Sequence, residues 1–157
     1  GWATWRRAWA EYRHDMSHWR RDLPLTQLTQ LCQHAPESVL FWGLMFELLA
    51  HGIIDSWAYR FIFAAFRTGG LTATANTNLV TNLGIGAEAT HTKTLPSHLR
   101  PPQAILQPLT QPRGIVVDEA AERWVMRNVM EATLPGMSKQ AARFLTRRIR
   151  RFAFSQG

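Results

Sequence analysis

The sequence predicts a mostly α-helical chain that is not a compact single-core domain but is strung around one long hydrophobic, membrane-crossing helix. Three observations predict it. Residues 39–66 hold 21 apolar side chains in 28 positions. Bulky residues recur every three or four positions near the N-terminus and again in the last forty residues, which is the period of a one-sided helix. Between them, residues 68–117 keep no period.

Residues 1–35 form the first region. Trp2, Trp5, Trp9, Tyr12, Met16 and Trp19 follow the spacings 3, 4, 3, 4 and 3. They place one aromatic seam along a helix over 2–22, with Arg6, Arg7, Arg13, Arg20 and Arg21 mostly off it. Pro24 closes the segment, because proline inside a helix removes a hydrogen bond and strikes the previous turn. Trp2, Trp5, Trp9, Tyr12 and Trp19 are the candidate interface aromatics, since Trp and Tyr favour boundaries that are apolar on one side and wet on the other. Such a helix can lie in a membrane interface, although Glu11, Asp15 and Asp22 weaken its attraction to anionic headgroups. Packing against a core is its plainer role. Leu25, Leu28 and Leu31 predict a short helix over 24–34.

Residues 36–67 form the second region. Pro36 suits the first turn of a helix, where its missing N–H costs nothing. The helix is expected over 37–66, with Gly69–Gly70 as its stop. At about 1.5 Å per residue it spans about 45 Å, more than a bilayer requires. Arg20 and Arg21 before it, and Arg60 and Arg67 near its end, give no orientation signal. Glu47, His51 and Asp55 are spaced by four and share one face. About ten large apolar residues in 39–57 contribute about −0.3 to −0.6 kcal/mol each to insertion, while each central acid costs about 2.5 to 3.5. The acids cancel the gain, so the helix inserts poorly alone. Glu47, His51 and Asp55 are therefore read as a partner-facing polar stripe that a neighbouring subunit covers. On that reading, Glu47→Leu or Asp55→Leu frees the helix from its partner.

The stripe admits sharper chemistry. Carboxylate and imidazole ligate metals, but one helix face supplies only one side of a site, and no second helix carries the complement. His51 with Asp55 is similar to the His-x-x-x-Asp step in the membrane anchor subunits of succinate dehydrogenase, which implies His51 as a haem- or quinone-binding candidate. The sequence departs from that family over Leu44 to Ala50, which hold neither a further ligand His nor a Gly-x-Arg-His run. Intramembrane acids can also carry protons.

Residues 68–117 are Thr-, Asn- and Pro-rich with few charges. Fifty residues without structure are uncommon inside a compact domain, and low charge distinguishes them from an ordinary disordered tail. An extended connector lying across partner subunits accounts for both. Residues 118–157 predict a basic helical hairpin. Its first arm, 118–134, carries Asp118, Glu119 and Glu122 at the positive end of the helix dipole and an apolar face of Ala121, Trp124, Val125, Val129 and Ala132. Leu134-Pro135-Gly136 ends it. Ser138 caps a second arm over 139–153, where Arg143, Arg147, Arg148, Arg150 and Arg151 make the candidate basic patch. That patch suits RNA, anionic lipid or an acidic protein face, and also a merely solvated face.

Composition bounds the partners. The formal charge is +7, with seven tryptophans and a single cysteine, Cys32. The charge favours acidic partners. A lone cysteine excludes a disulfide framework and a cysteine metal site. A chain opening on Gly1 is what cleavage of an Arg-rich, acid-poor transit peptide leaves, as does any other trimming. Neither Ser38 nor Ser56 stands in a G-x-S-x-G context, and Cys32 and His34 lack a nucleophile motif, so no catalytic residue is assigned. The expected function is a non-catalytic accessory subunit of a mitochondrial inner-membrane complex, in the respiratory electron-transport chain or ATP synthase. It would have no cofactor of its own, with membrane lipid and neighbouring subunits as partners. The alternatives are a mitochondrial ribosomal protein in the matrix that contacts rRNA through the Arg-rich tail, and a haem- or quinone-binding membrane anchor.

Overall fold

The computed structural model describes residues 3–81, 83–87, 94, 100–105, 107–110 and 114–154; at 143, 145 and 147–154 it describes the backbone alone. The described chain is mostly helical, with seven helices and no strand. They are α1 (Arg6–Trp9), α2 (Trp19–Asp22), α3 (Leu25–Leu31), α4 (Pro36–Ala50), α5 (Trp57–Thr68), α6 (Glu119–Asn128) and α7 (Leu134–Phe154). Two units separate by their contacts. One comprises Ala3–Leu71 with Glu119–Gly157, and the other comprises Gly1–Trp2 with Thr72–Asp118.

No described helix is long and apolar enough to cross a membrane. This corrects the membrane-crossing helix expected over 37–66. The run is broken by its own punctuation. Gly52 adopts φ +61°, a left-handed conformation that other residues reach at a cost. Its N–H donates to the Leu49 carbonyl at 3.0 Å, and the Ile53 N–H donates to the Leu48 carbonyl at 2.8 Å. These two reversed bonds are the Schellman ending of a helix. Ser56 then caps α5 by accepting from the Tyr59 N–H. What remains as α4 is 15 residues long, about 22 Å against the roughly 30 Å of a hydrocarbon layer.

The apolar run serves instead as the centre of a hydrophobic core shared by residues from Met16 to Met137. Phe41, Trp42, Met45, Phe46, Leu48 and Leu49 of α4 are all buried. They fall on one broad face of the helix, while Leu40 on the other side is half exposed. Met16, Trp19 and Leu23 cover it from the N-terminal side, Leu28 and Cys32 from α3 onward, Ile54 and Phe63 from the turn and α5, and Met126, Ala132 and Met137 from the C-terminal helices. Burial pushes the Cys32 thiol up to about 12, so it behaves as a small core hydrophobe rather than a nucleophile.

The single helix expected over 2–22 is also two short ones. Asp15 accepts hydrogen bonds from the Ser17 N–H at 2.8 Å and the Ser17 hydroxyl at 3.0 Å, an Asx-type turn that competes with helical pairing. The aromatic seam splits there. Met16 and Trp19 enter the core, while Trp5 and Trp9 stay exposed.

In the C-terminal region, Leu134-Pro135-Gly136 opens α7 rather than ending a helix. Thr133 Oγ1 accepts from the Gly136 N–H at 3.2 Å, and proline is at home in a first turn. A Cβ at Gly136 would lie 2.2 Å from the Glu131 carbonyl oxygen, so the turn requires glycine.

In the other unit, Asn78 ties two stretches together. Its side-chain amide donates to the Arg100 carbonyl, its side-chain oxygen accepts from the Val80 N–H at 3.1 Å, and its backbone carbonyl accepts from the Gln103 N–H at 2.8 Å.

Candidate interaction surfaces

Glu47, His51 and Asp55 do not share one helix face. Glu47 lies in α4, His51 is the residue that ends it, and Asp55 sits in the turn before α5. Each has partners within the chain. Glu47 Oε2 accepts from the Trp19 indole N–H at 3.1 Å and from Arg20 Nη2 and Nε at 2.8 and 3.2 Å. Its Oε1 lies 3.0 Å from His51 Nε2. The carboxylate thus pins α2 to α4, at the one edge where the buried Trp19 must satisfy its indole N–H. Asp55 pairs with Arg60 at 2.6 Å.

Burial pulls the Glu47 carboxyl upward, but the hydrogen bonds from His51, Trp19 and Arg20, with the Arg20 charge, outweigh it and hold its pKa below the ordinary glutamate value. A carboxylate with a depressed folded pKa adds stability that is present above the unfolded value, near pH ~4.3, and is lost as pH falls below it. Stability of the chain therefore drops as pH falls through the acid range below that value. Glu47→Gln flattens part of that slope, measured as chemical-denaturation midpoint against pH; an unchanged slope in the variant removes Glu47 from the account.

The candidate aromatics separate into two groups. Trp19 belongs to the core, edge-on to Phe46 at 5.7 Å. Trp9 stacks on Tyr12 at 5.1 Å and on Phe61 of α5 at 5.4 Å, and tilts against Trp57 at 6.2 Å. Trp5 lies beyond, 70% exposed, with the Arg7 guanidinium 5.4 Å above its ring. Trp2 falls outside the described residues. This aromatic edge runs along α5, whose Trp57 and Phe61 the N-terminal seam did not include. Arg60 and Arg67 are more than flanking charges. They hold the N-terminal stretch to α5: Arg60 Nε donates to the His14 carbonyl at 2.9 Å, and Arg67 donates to the Glu11 carbonyl and carboxylate. Their spacing of seven, two turns along one face, is the signal that could have found them.

Two further apolar surfaces face water. On α6 and just after it, Trp124, Val125 and Val129 are exposed, whereas Met126 points inward. Of the face expected to pack, Ala132 is buried while these three side chains are not. An Arg127–Glu37 ion pair at 3.1 Å holds α6 to α4. Within residues 72–118, Leu83, Ile115 and Val116 are 91, 90 and 81% exposed. The basic patch of Arg143, Arg147, Arg148, Arg150 and Arg151 lies on α7, whose backbone is helical to Phe154; these side chains lie outside the described residues.

Among the described residues, no group of three His, Cys, Asp or Glu side chains could hold a metal. His51, the haem candidate, is an exposed helix-end residue bonded to Glu47. No family model matches the chain, and comparisons with curated proteins and with solved structures found no significant match.

Proposed function

We propose that this chain is a non-catalytic structural subunit of a multi-subunit assembly, contributing a helical body and an irregular, partner-covered arm. The observation that carries the reading is the apolar surface of residues 72–118. Leu83, Ile115 and Val116 stand almost fully in water on an irregular backbone. Covering such side chains gains about 25 cal/mol per Å², and a segment kept solvated for its own sake is ordinarily polar. The exposed Trp124 and Val125 of α6, with Val129 just beyond it, add a second surface of the same kind.

The host favoured by the basic charge and single cysteine is a mitochondrial inner-membrane complex of the respiratory or ATP synthase type, whose membrane-crossing segments belong to other subunits. A ribosomal host is the second reading. Lys139, Arg143, Arg147, Arg148, Arg150 and Arg151 occur without an acid in α7, and such a run suits phosphate contacts.

The test is affinity purification of the tagged full chain beside a Leu83→Ser, Ile115→Ser, Val116→Ser triple variant. The parent chain brings down a reproducible set of proteins. The variant keeps its helical circular dichroism and melting temperature but loses that set. A parent chain that purifies alone as a monomer ends the subunit reading, and RNase-sensitive sedimentation transfers it to the ribosomal host.

A further inference from the structure

Residues 3–71 contain seven arginines and no lysine. Five of the seven are committed to carboxylates: Arg13 and Arg21 to Asp22, Arg20 to Glu47, Arg60 to Asp55 and Arg67 to Glu11. Arg6 and Arg7 have no carboxylate partner among the described residues. The acids of the same stretch are accounted for in turn. Glu37 pairs with Arg127, and Asp15 is held by Ser17. Two adjacent cations therefore remain without a carboxylate, and they lie between Trp5 and Trp9. Trp5, Trp9 and Trp57 are 70, 44 and 49% exposed along the same edge.

Three partners take Trp with Arg: single-stranded nucleic acid, a protein face and a lipid surface. Nucleic acid needs open ring faces on which bases stack. Here Tyr12 and Phe61 already stack on Trp9, at interplanar angles of 13° and 28°, and Arg7 lies over Trp5. A bilayer interface makes no such demand. It accepts the apolar body of an indole at headgroup depth, whatever covers its face, and places guanidinium groups beside phosphates. Of the nearby acids that would repel such a surface, Glu11 is turned onto Arg67 and Asp22 onto Arg13 and Arg21, while Asp15, hydrogen-bonded to Ser17, keeps its charge.

We propose that the edge formed by Trp5, Trp9 and Trp57 with Arg6 and Arg7 is a contact surface for an anionic lipid bilayer. Arg6 and Arg7 pair with lipid phosphates, while Trp5 and Trp57 enter the headgroup layer. The contact belongs to this chain alone and stands whether or not the subunit reading holds, because it requires vesicles and no partner protein.

The test is co-sedimentation of the full chain with phosphatidylcholine vesicles, with and without phosphatidylglycerol, alongside tryptophan emission. The chain is expected to bind the anionic vesicles, to release them at high salt and to shift its emission to the blue. Arg6→Ala with Arg7→Ala lowers the partition coefficient about thirtyfold, taking each surface cation at about 1 kcal/mol. Trp5→Ala reduces the blue shift without changing the melting temperature. Lys139→Ala serves as the distant control and retains most of the binding. The proposal is overturned by equal binding to neutral vesicles, or by binding that survives the Arg6, Arg7 and Trp5 changes but is lost on Arg147→Ala with Arg150→Ala. It is equally overturned if anionic vesicles do not bind while single-stranded RNA or an acidic protein quenches Trp5.

Discussion

Phe46→Ala is expected to lower the unfolding free energy of the isolated chain by about 3–5 kcal/mol. The side chain is fully buried. It touches rings from three elements: Trp19 of α2 at 5.7 Å, Trp42 of α4 at 5.8 Å, and Phe63 and Phe66 of α5 at 5.2 and 6.1 Å. Truncation removes the transfer gain and leaves a cavity that four large rings on three helices cannot close together. Against a total of about 5–15 kcal/mol for a domain, that is enough to populate the unfolded state near body temperature. Leu40→Ala, on the same helix but half exposed, changes stability by about 0.5 kcal/mol or less. The contrast is what distinguishes a self-contained core from a hydrophobic rod completed only by neighbours, because a rod awaiting its partners would lose little from either change. Urea denaturation followed by circular dichroism reads both. A Phe46 effect as small as that of Leu40 would remove α4 from the centre of the fold.

What the sequence made legible was the location of apolar mass, and what it concealed was the geometry of breaks. The 39–66 run is the core of the fold, yet the same 21 apolar positions suit a spanning helix or a buried helical pair. Periodicity alone does not choose between them. The choice lay in Gly52, where φ +61° ends α4, and in Ser56, which caps α5. Both stood inside the run and were outweighed by its hydropathy. Pro135 misled in the opposite direction. Read as a stop, it sits in the first turn of α7 behind the Thr133 cap, and a proline near a helix end fits either assignment until the cap is known. Gly69–Gly70 stood at the end of an apolar period and was legible, and the structure shows its reversed bonds to Phe66 and Ala65. The stripe failed as a stripe because spacing by four has meaning only while the helix continues. Glu47→Leu consequently changes sign. Expected from the sequence to release α4 from a partner, it instead strips the acceptor from the buried Trp19 indole and from Arg20, a destabilising change. The pairing of Arg60 and Arg67 with the N-terminal stretch left only their spacing of seven as a trace in the sequence, because its partners are mostly backbone carbonyls, which carry no residue signature.

Those carbonyl contacts set the second large effect. Arg60→Ala is expected to cost about 2–4 kcal/mol and to free the N-terminal stretch for proteolysis. Arg60 is 6% exposed and divides its fork between two acceptors, with Nε on the His14 carbonyl at 2.9 Å and Nη1 on Asp55 at 2.6 Å. Hydrogen bonds from a charged donor contribute about 1.5–3 kcal/mol each, and removal of the side chain also loses the packing of its aliphatic stem. The Asp55 carboxylate is 76% exposed, so water compensates it once the cation is gone. That keeps the cost below the sum of the two bonds. The decisive comparison is Arg60→Lys. A lysine preserves the charge and most of the stem, but its single nitrogen cannot reach two acceptors served by separate arms of a guanidinium. Recovery by lysine should therefore be partial, near half of the loss. Limited proteolysis within residues 3–18, run beside urea denaturation, reads the local and the global effect separately. If the segment opens in Arg60→Ala while global stability is unchanged, Arg60 acts as a clasp on a peripheral strap. If both fall together, the N-terminal stretch is part of the cooperative core, as the burial of Met16 and Trp19 implies. Full recovery by lysine would show that charge alone, rather than the two-armed geometry, holds the stretch to α5.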